Sequence, residues 1–225
     1  MSGMLASVSN LAEARFIENF AVDIIDLKQP AQGALGALSI NCVSNIVATL
    51  KPETVISATV GDLPMQPQLL TSAVQAMAMT GVDFVKIGFF PDGDWQACIS
   101  ELANLTASGH ALIAVLFADT QPDLAVIAAL RQAGFRGVML DTMDKSRGSL
   151  TQLQSLCDCK TFIDTAKAAG LLTGLAGSLT QQDIPKLLPL QADYLGFRGA
   201  LCWRSQRTAE LDKEQVAAIR QLLSA

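Results

Sequence analysis

Eight short, almost wholly apolar segments recur along the chain, each followed by a segment with helical spacing, and this alternation constrains the fold more than any other feature. The apolar segments lie at 4–8, 23–27, 55–60, within 82–90, and at 111–117, 137–141, 172–176 and 193–197. Helical spacing follows at 11–20, 39–50, 68–79, 94–106, 122–133, 150–169, 180–188 and 213–223. Continuous apolar strands alternating with helices describe a parallel sheet buried on both faces. Eight units in 225 residues match a (β/α)8 TIM barrel of the α/β class, formed as one domain over residues 1–225. A doubly wound open sheet is the alternative, although it usually has fewer strands. No linker or break in composition suggests a second domain.

Composition narrows the function classes. Net charge is −5 and no basic run exists, so nucleic acid is not an expected partner. The longest apolar run, 111–118, is too short to span a bilayer, and the first ten residues have no positively charged leader, so a cytoplasmic protein without membrane contact is expected. Five scattered cysteines argue against a disulfide framework, and the Cys157-Asp158-Cys159 spacing is not that of a metal or redox pair. His110 is the sole histidine and precedes a strand rather than ending one, so it reads as structural. Self-association into a homo-oligomer is left open.

In such a barrel the chemistry gathers where strands end at their C-termini. The stretch Asp23 to Ala37 is the most informative of these ends. Asp26 and Lys28 alternate onto one face of an otherwise apolar strand, and burying either charge unpaired is costly. They form either a structural ion pair or a reactive site. Other strand ends contribute Ser57 and Thr59, then Asp62, and Lys86, Asp119 and Asp141. The sixth strand's loop adds Asp144, Lys145 and Arg147. A lone Lys86 within VDFVKIGFF is hard to explain without a partner, and two lysines with two aspartates at one barrel mouth favour catalysis. Adjacent lysines disfavour each other's protonation, so one becomes a neutral amine able to attack a carbonyl and form a Schiff base. Aspartates can hold the other lysine charged and move protons. Gly177-Ser178 before a helix, and Gly199 after the last strand, occupy the loops that usually hold phosphate, where N–H groups and a helix dipole face the anion. Arg198, Arg204 and Arg207 bind a second phosphate or form a solvated face; the spacing leaves both open.

Several of these segments together resemble a known family. DIIDLKQP at 23–30, ISATVGDLP at 56–64, VKIG at 85–88, MLDT at 139–142, LAGS at 175–178 and RGA at 198–200 are similar to the (5-formylfuran-3-yl)methyl phosphate synthases of methanofuran biosynthesis, in the same order along nearly the whole chain. The resemblance implies a (β/α)8 barrel that condenses two glyceraldehyde 3-phosphate molecules into a furan aldehyde phosphate, with loss of phosphate and water and without metal or cofactor. It implies Lys28 as the Schiff-base lysine and Lys86 as a proton-transfer lysine, assisted by Asp26, Asp141 and Lys145. It also implies that Gly177, Ser178 and Gly199 hold phosphate; the strand-end reading adds Ser57, Asp62 and Arg198 as candidate substrate- or phosphate-binding residues. The segment ALCWRSQRTAELD after Gly199 departs from the family pattern.

The expected mechanism binds one triose phosphate, in its ketone or enolised form, covalently to a lysine, and its carbanion or enamine attacks the aldehyde of the second. An ordinary Schiff-base aldolase on other sugar phosphates, a flavin- or nucleotide-binding barrel and a non-catalytic phosphate-binding barrel are the alternatives.

Overall fold

The computed structural model describes residues 2–224. Its eight strands are β1 (Gly3–Val8), β2 (Ile24–Leu27), β3 (Ile56–Thr59), β4 (Phe84–Gly88), β5 (Leu112–Phe117), β6 (Gly137–Asp141), β7 (Leu172–Leu175) and β8 (Tyr194–Phe197). All pair in parallel, each with its neighbour in sequence, and β8 returns to β1 through Gly3 opposite Tyr194 and Ala6 opposite Phe197. The sheet is therefore the closed eight-stranded barrel expected from the alternation, and it has no open edge.

Closure sorts the apolar residues into two cores. Alternate strand residues such as Ala6, Val8, Ile25, Leu27, Val85, Ile87 and Leu195 face the helices and form the larger core. Leu5, Ile24, Ile113, Val115, Phe117 and Met139 fill the barrel's interior. Interior packing depends on size matching: a methyl group on Gly174 would lie 2.6 Å from the Met139 side chain, so the missing side chain on β7 makes room for the long one on β6.

The helices are α1 (Leu11–Glu18), α2 (Ile40–Thr49), α3 (Pro67–Ala78), α4 (Trp95–Ala107), α5 (Val126–Gln132), α6 (Leu150–Leu153), α7 (Leu156–Ala168), α8 (Ile184–Leu187) and α9 (Lys213–Ser224). Polar caps start several of them. The side chains of Asn10, Ser39, Asp94 and Ser155 each accept a hydrogen bond from a first-turn N–H. Ser155 explains one difference from the sequence reading: by capping α7 it splits the expected helix 150–169 into α6 and α7. Two other helices are shorter than their periodicity suggests, α5 beginning at Val126 and α8 covering only Ile184–Leu187. The five cysteines are all free thiols. Among the described residues no helix is long and apolar enough to cross a membrane.

Candidate active site

The C-terminal mouth of the barrel holds a cavity of about 280 Å³, near the lower end of small-ligand sites. Three strands in register lie beneath it, and Ser7 lines it. Ser7, Asp26 and Ser57 are opposite one another on β1, β2 and β3. Asp26 is fully buried. Its Oδ2 accepts from Ser7 Oγ at 2.8 Å, and its Oδ1 accepts from Ser57 Oγ at 2.7 Å and from Lys86 Nζ at 3.0 Å. Burial alone would raise the Asp26 pKa, but Lys86, Lys28 and these donors outweigh it and hold the carboxyl below its ordinary value. The partner that Lys86 needs is thus Asp26, and Asp26 pairs with Lys86 rather than with Lys28.

Lys28 continues the inward face of β2 and is 6 % exposed. Its Nζ donates to the Ala34 carbonyl at 3.3 Å and makes no salt bridge among the described residues. Burial depresses its pKa most. Asp141 opposes that effect and Lys145 adds to it, leaving the amine at about 8 instead of 10.5. At pH 7 this raises the neutral fraction about 300-fold. Asp141, at the end of β6, accepts from Lys145 Nζ and from the Thr142 N–H. Burial would raise its pKa too, but Lys145 and Lys28 bring it down to about 2. The mouth therefore holds two ion pairs, Lys86–Asp26 and Lys145–Asp141, with an amine poised to lose its proton between them.

The wall beside β7 and β8 is backbone. Gly177 has φ +110°, and a methyl there would lie 2.8 Å from Thr142 Cγ2, so both conformation and space require glycine. Ser178 follows with φ +47°. Gly177, Ser178, Leu179, Gly199 and Ala200 line the cavity, and among the described hydrogen bonds the N–H groups of Ser178, Leu179, Gly199 and Ala200 donate to none. Successive N–H groups in such a turn make an anion-binding concavity. The expected helix dipole is absent here, because α8 starts only at Ile184 and has one turn.

Lys28, Lys86, Asp141, Lys145, Gly177, Ser178, Arg198 and Gly199 all line this cavity, and Asp26 lies directly behind Lys86. Three residues expected to contact phosphate are committed elsewhere. Ser57 faces Asp26 beneath the mouth. Asp62 accepts the N–H groups of Ala34 and Leu35, both at 2.7 Å, and so fastens the loop after β2. Arg198 reaches the cavity wall, but its guanidinium points away: it forms a fork on Glu13 and donates to the carbonyls of Ser7, Arg207 and Ala209. Those contacts occupy its donors, so it braces the barrel's closing seam instead of holding phosphate. The sequence reading missed Ser7, the single polar residue of β1, whose inward position the alternation does encode. Thr142 was missed as well; its carbonyl accepts from Lys145 and its side chain packs under Gly177.

The sequence model of the family described as 4-HFC-P synthase matches residues 4–220. The chain belongs to the 4-HFC-P synthase family. Its relatives include the (5-formylfuran-3-yl)methyl phosphate synthase of Methanocaldococcus jannaschii, 30% identical over 231 residues, covering 97% of this chain and 98% of the relative. A Methylorubrum extorquens protein to which that name is provisionally given is 41% identical over 214 residues, covering 95% and 88%. The relatives are named as synthases, and the chain is accordingly an enzyme. Among solved structures it is similar to phosphoribosyl anthranilate isomerase from Thermotoga maritima (TM-score 0.72, 12% identity, 100% and 99% covered) and to 3-hexulose-6-phosphate synthase from Salmonella typhimurium (TM-score 0.71, 17% identity, 99% and 98% covered). At such identities these two establish the fold alone.

Proposed function

We propose that this family member condenses two glyceraldehyde 3-phosphate molecules to (5-formylfuran-3-yl)methyl phosphate through a Schiff base on Lys28, in methanofuran-type biosynthesis. One observation carries the reading: Lys28 is buried at the cavity without a carboxylate partner among the described residues and with a pKa near 8, while the other two lysines of the mouth are ion-paired.

The product's substitution pattern sets the order of bonds and revises the mechanism expected from the resemblance. Substituents at ring positions 3 and 5 require a branched carbon skeleton, whereas an enamine attacking the second triose's aldehyde gives an unbranched one. The imine carbon is therefore the electrophile. Lys28 attacks the keto carbon of the triose in its ketone form and water leaves. On the other triose a proton leaves C2 and phosphate departs from C3 with the bonding pair, giving an enol. Its C3 attacks the imine carbon. The ketose C1 hydroxyl then closes the ring on the neighbouring carbonyl. Loss of a second water and expulsion of the Lys28 amine leave the aromatic furan and the free enzyme. One phosphate and two waters are released in total.

Lys86, which donates to Asp26 at the cavity, delivers a proton to the departing hydroxyl during imine formation. Lys145 and Asp141, the second ion pair lining the cavity with Lys28, serve the proton transfers of elimination and ring closure. The N–H groups after β7 and β8 supply one phosphate site.

Borohydride reduction during turnover, followed by peptide mass mapping, tests the covalent step, and ultraviolet absorbance of the conjugated aldehyde tests the product. An adduct on Lys28 with a furan chromophore is the expected result. An adduct on Lys86 would transfer the nucleophile's role to that lysine. Furan formation without any adduct would remove the Schiff base, and absence of furan would remove the condensation.

A further inference from the structure

A condensation of two triose phosphates places two phosphomonoesters, each with about −1.5 to −2 charge at neutral pH, in one small cavity. The backbone turn at Ser178–Leu179 and Gly199–Ala200 offers one anion site and no formal charge. The cations of the mouth are largely committed: Lys86 to Asp26, Lys145 to Asp141 and Arg198 to Glu13. Lys28 must lose its proton to act. Among the described residues lining the cavity, this leaves Arg207 as the cation with neither a carboxylate partner nor a covalent task.

Arg207 lies in the long connection between β8 and α9, the segment that departs from the family pattern. Its placement is built. Arg198 Nε donates to the Arg207 carbonyl at 2.8 Å and Arg198 Nη2 to the Ala209 carbonyl at 3.2 Å, so the part-buried Glu13–Arg198 fork holds this loop. The loop packs directly on Gly199: a methyl there would lie 3.2 Å from the Ser205 carbonyl and 3.8 Å from Arg207 Cβ. The side chain lines the cavity, and Nη2 donates to the Gly33 carbonyl at 2.9 Å. Gly33 precedes Ala34, whose carbonyl receives Lys28. Among the described residues that single bond leaves most of a planar five-donor fork available, the geometry that matches phosphate. Arg204, three residues earlier, is exposed, with its guanidinium 5.8 Å from the Trp203 ring centre, and does not line the cavity.

We propose that Arg207 is the binding residue for the second phosphomonoester, positioned by the Glu13–Arg198 fork, and that it makes the site selective for a phosphorylated second triose. This rests on the condensation proposed above, which requires two phosphates at once.

Equilibrium calorimetric titration with sn-glycerol 3-phosphate, which carries the phosphate and the three-carbon chain but no carbonyl, separates the two claims. The unmodified protein should bind two equivalents per chain. Arg207→Met should weaken one of them by roughly ten- to a hundredfold, the loss of charge-assisted hydrogen bonds, and leave the other unchanged. Arg207→Lys, which keeps the charge and loses the fork, should retain two equivalents with the second weakened less, and it provides the reading if Arg207→Met does not fold. Arg204→Met should bind as the unmodified protein does. One equivalent in the unmodified protein, or two unweakened equivalents in Arg207→Met, would overturn the proposal. No reaction occurs in these titrations. Two sites, one of them dependent on Arg207, without furan formation would thus discard the condensation and keep the site, and furan formation with a single site would do the reverse.

Discussion

Replacing Lys145 with methionine should shift the pH at which Lys28 becomes reactive. Lys28 is held at about 8 by burial, with Asp141 pulling its pKa upward and Lys145 pushing it downward. Lys145 also occupies the Asp141 carboxylate. Lys145→Met removes a repelling cation and frees an attracting carboxylate at the same time, and both changes stabilise the Lys28 ammonium. A full return to 10.5, which the persisting burial opposes, would cost about 300-fold in neutral amine at pH 7. A rise of one unit, about 1.4 kcal/mol, costs about tenfold. The assay is the initial rate of borohydride-trapped adduct on Lys28 between pH 6 and pH 10. In the unmodified protein the rate should rise through an inflection near 8. In Lys145→Met the inflection should move up, with the rate at high pH largely recovered. If Lys145 acted only by contacting substrate, the rate would fall equally at every pH. Coincident inflections would refute the electrostatic coupling among Lys28, Asp141 and Lys145.

Two further outcomes concern stability. Glu13→Gln leaves the Arg198 guanidinium buried without its carboxylate, a change that typically costs about 3–5 kcal/mol. For a chain of this size that is roughly a 6–20 °C fall in melting temperature by calorimetry, and a fall below about 2 °C would show the fork to be dispensable. Asp141 and Asp26 both have folded pKa values below their ordinary ones, so each stabilises the fold above its unfolded pKa and loses that contribution as pH falls through the folded one. For Asp141 the window runs from about 4 down to about 2 and is of order 2 kcal/mol. Urea midpoints should therefore drop steeply over that range in the unmodified protein and less so in Asp141→Asn; parallel curves would contradict the assignment.

Much of this protein is legible in its residues because the relevant energies are local or periodic. Apolar strand segments alternating with helical spacing require a sheet covered on both faces, and eight such units close into a barrel. Period-2 alternation then puts Asp26, Lys28 and Lys86 on the inner face, and their positions at strand ends put them at one mouth. The same alternation points Ser7 inward. Short-range capping was the weaker signal: Ser155 interrupts a periodicity that otherwise reads as one helix.

Pairing was decided only by closure. Asp26 lies two residues from Lys28, but bonds to Lys86 two strands away. Glu13 on the first helix meets Arg198 after the last strand because β1 and β8 are neighbours in the closed sheet, and this contact turns an expected phosphate ligand into a brace. Asp62 is withdrawn from the site by two N–H groups of another loop. Arg207 reaches the cavity while Arg204 remains outside, a distinction set by the path of the loop rather than by residue type. Charge, donor capacity and reactivity in a low-dielectric site depend on what lies within a few ångströms, and in a barrel those neighbours come from parts of the chain far apart in sequence.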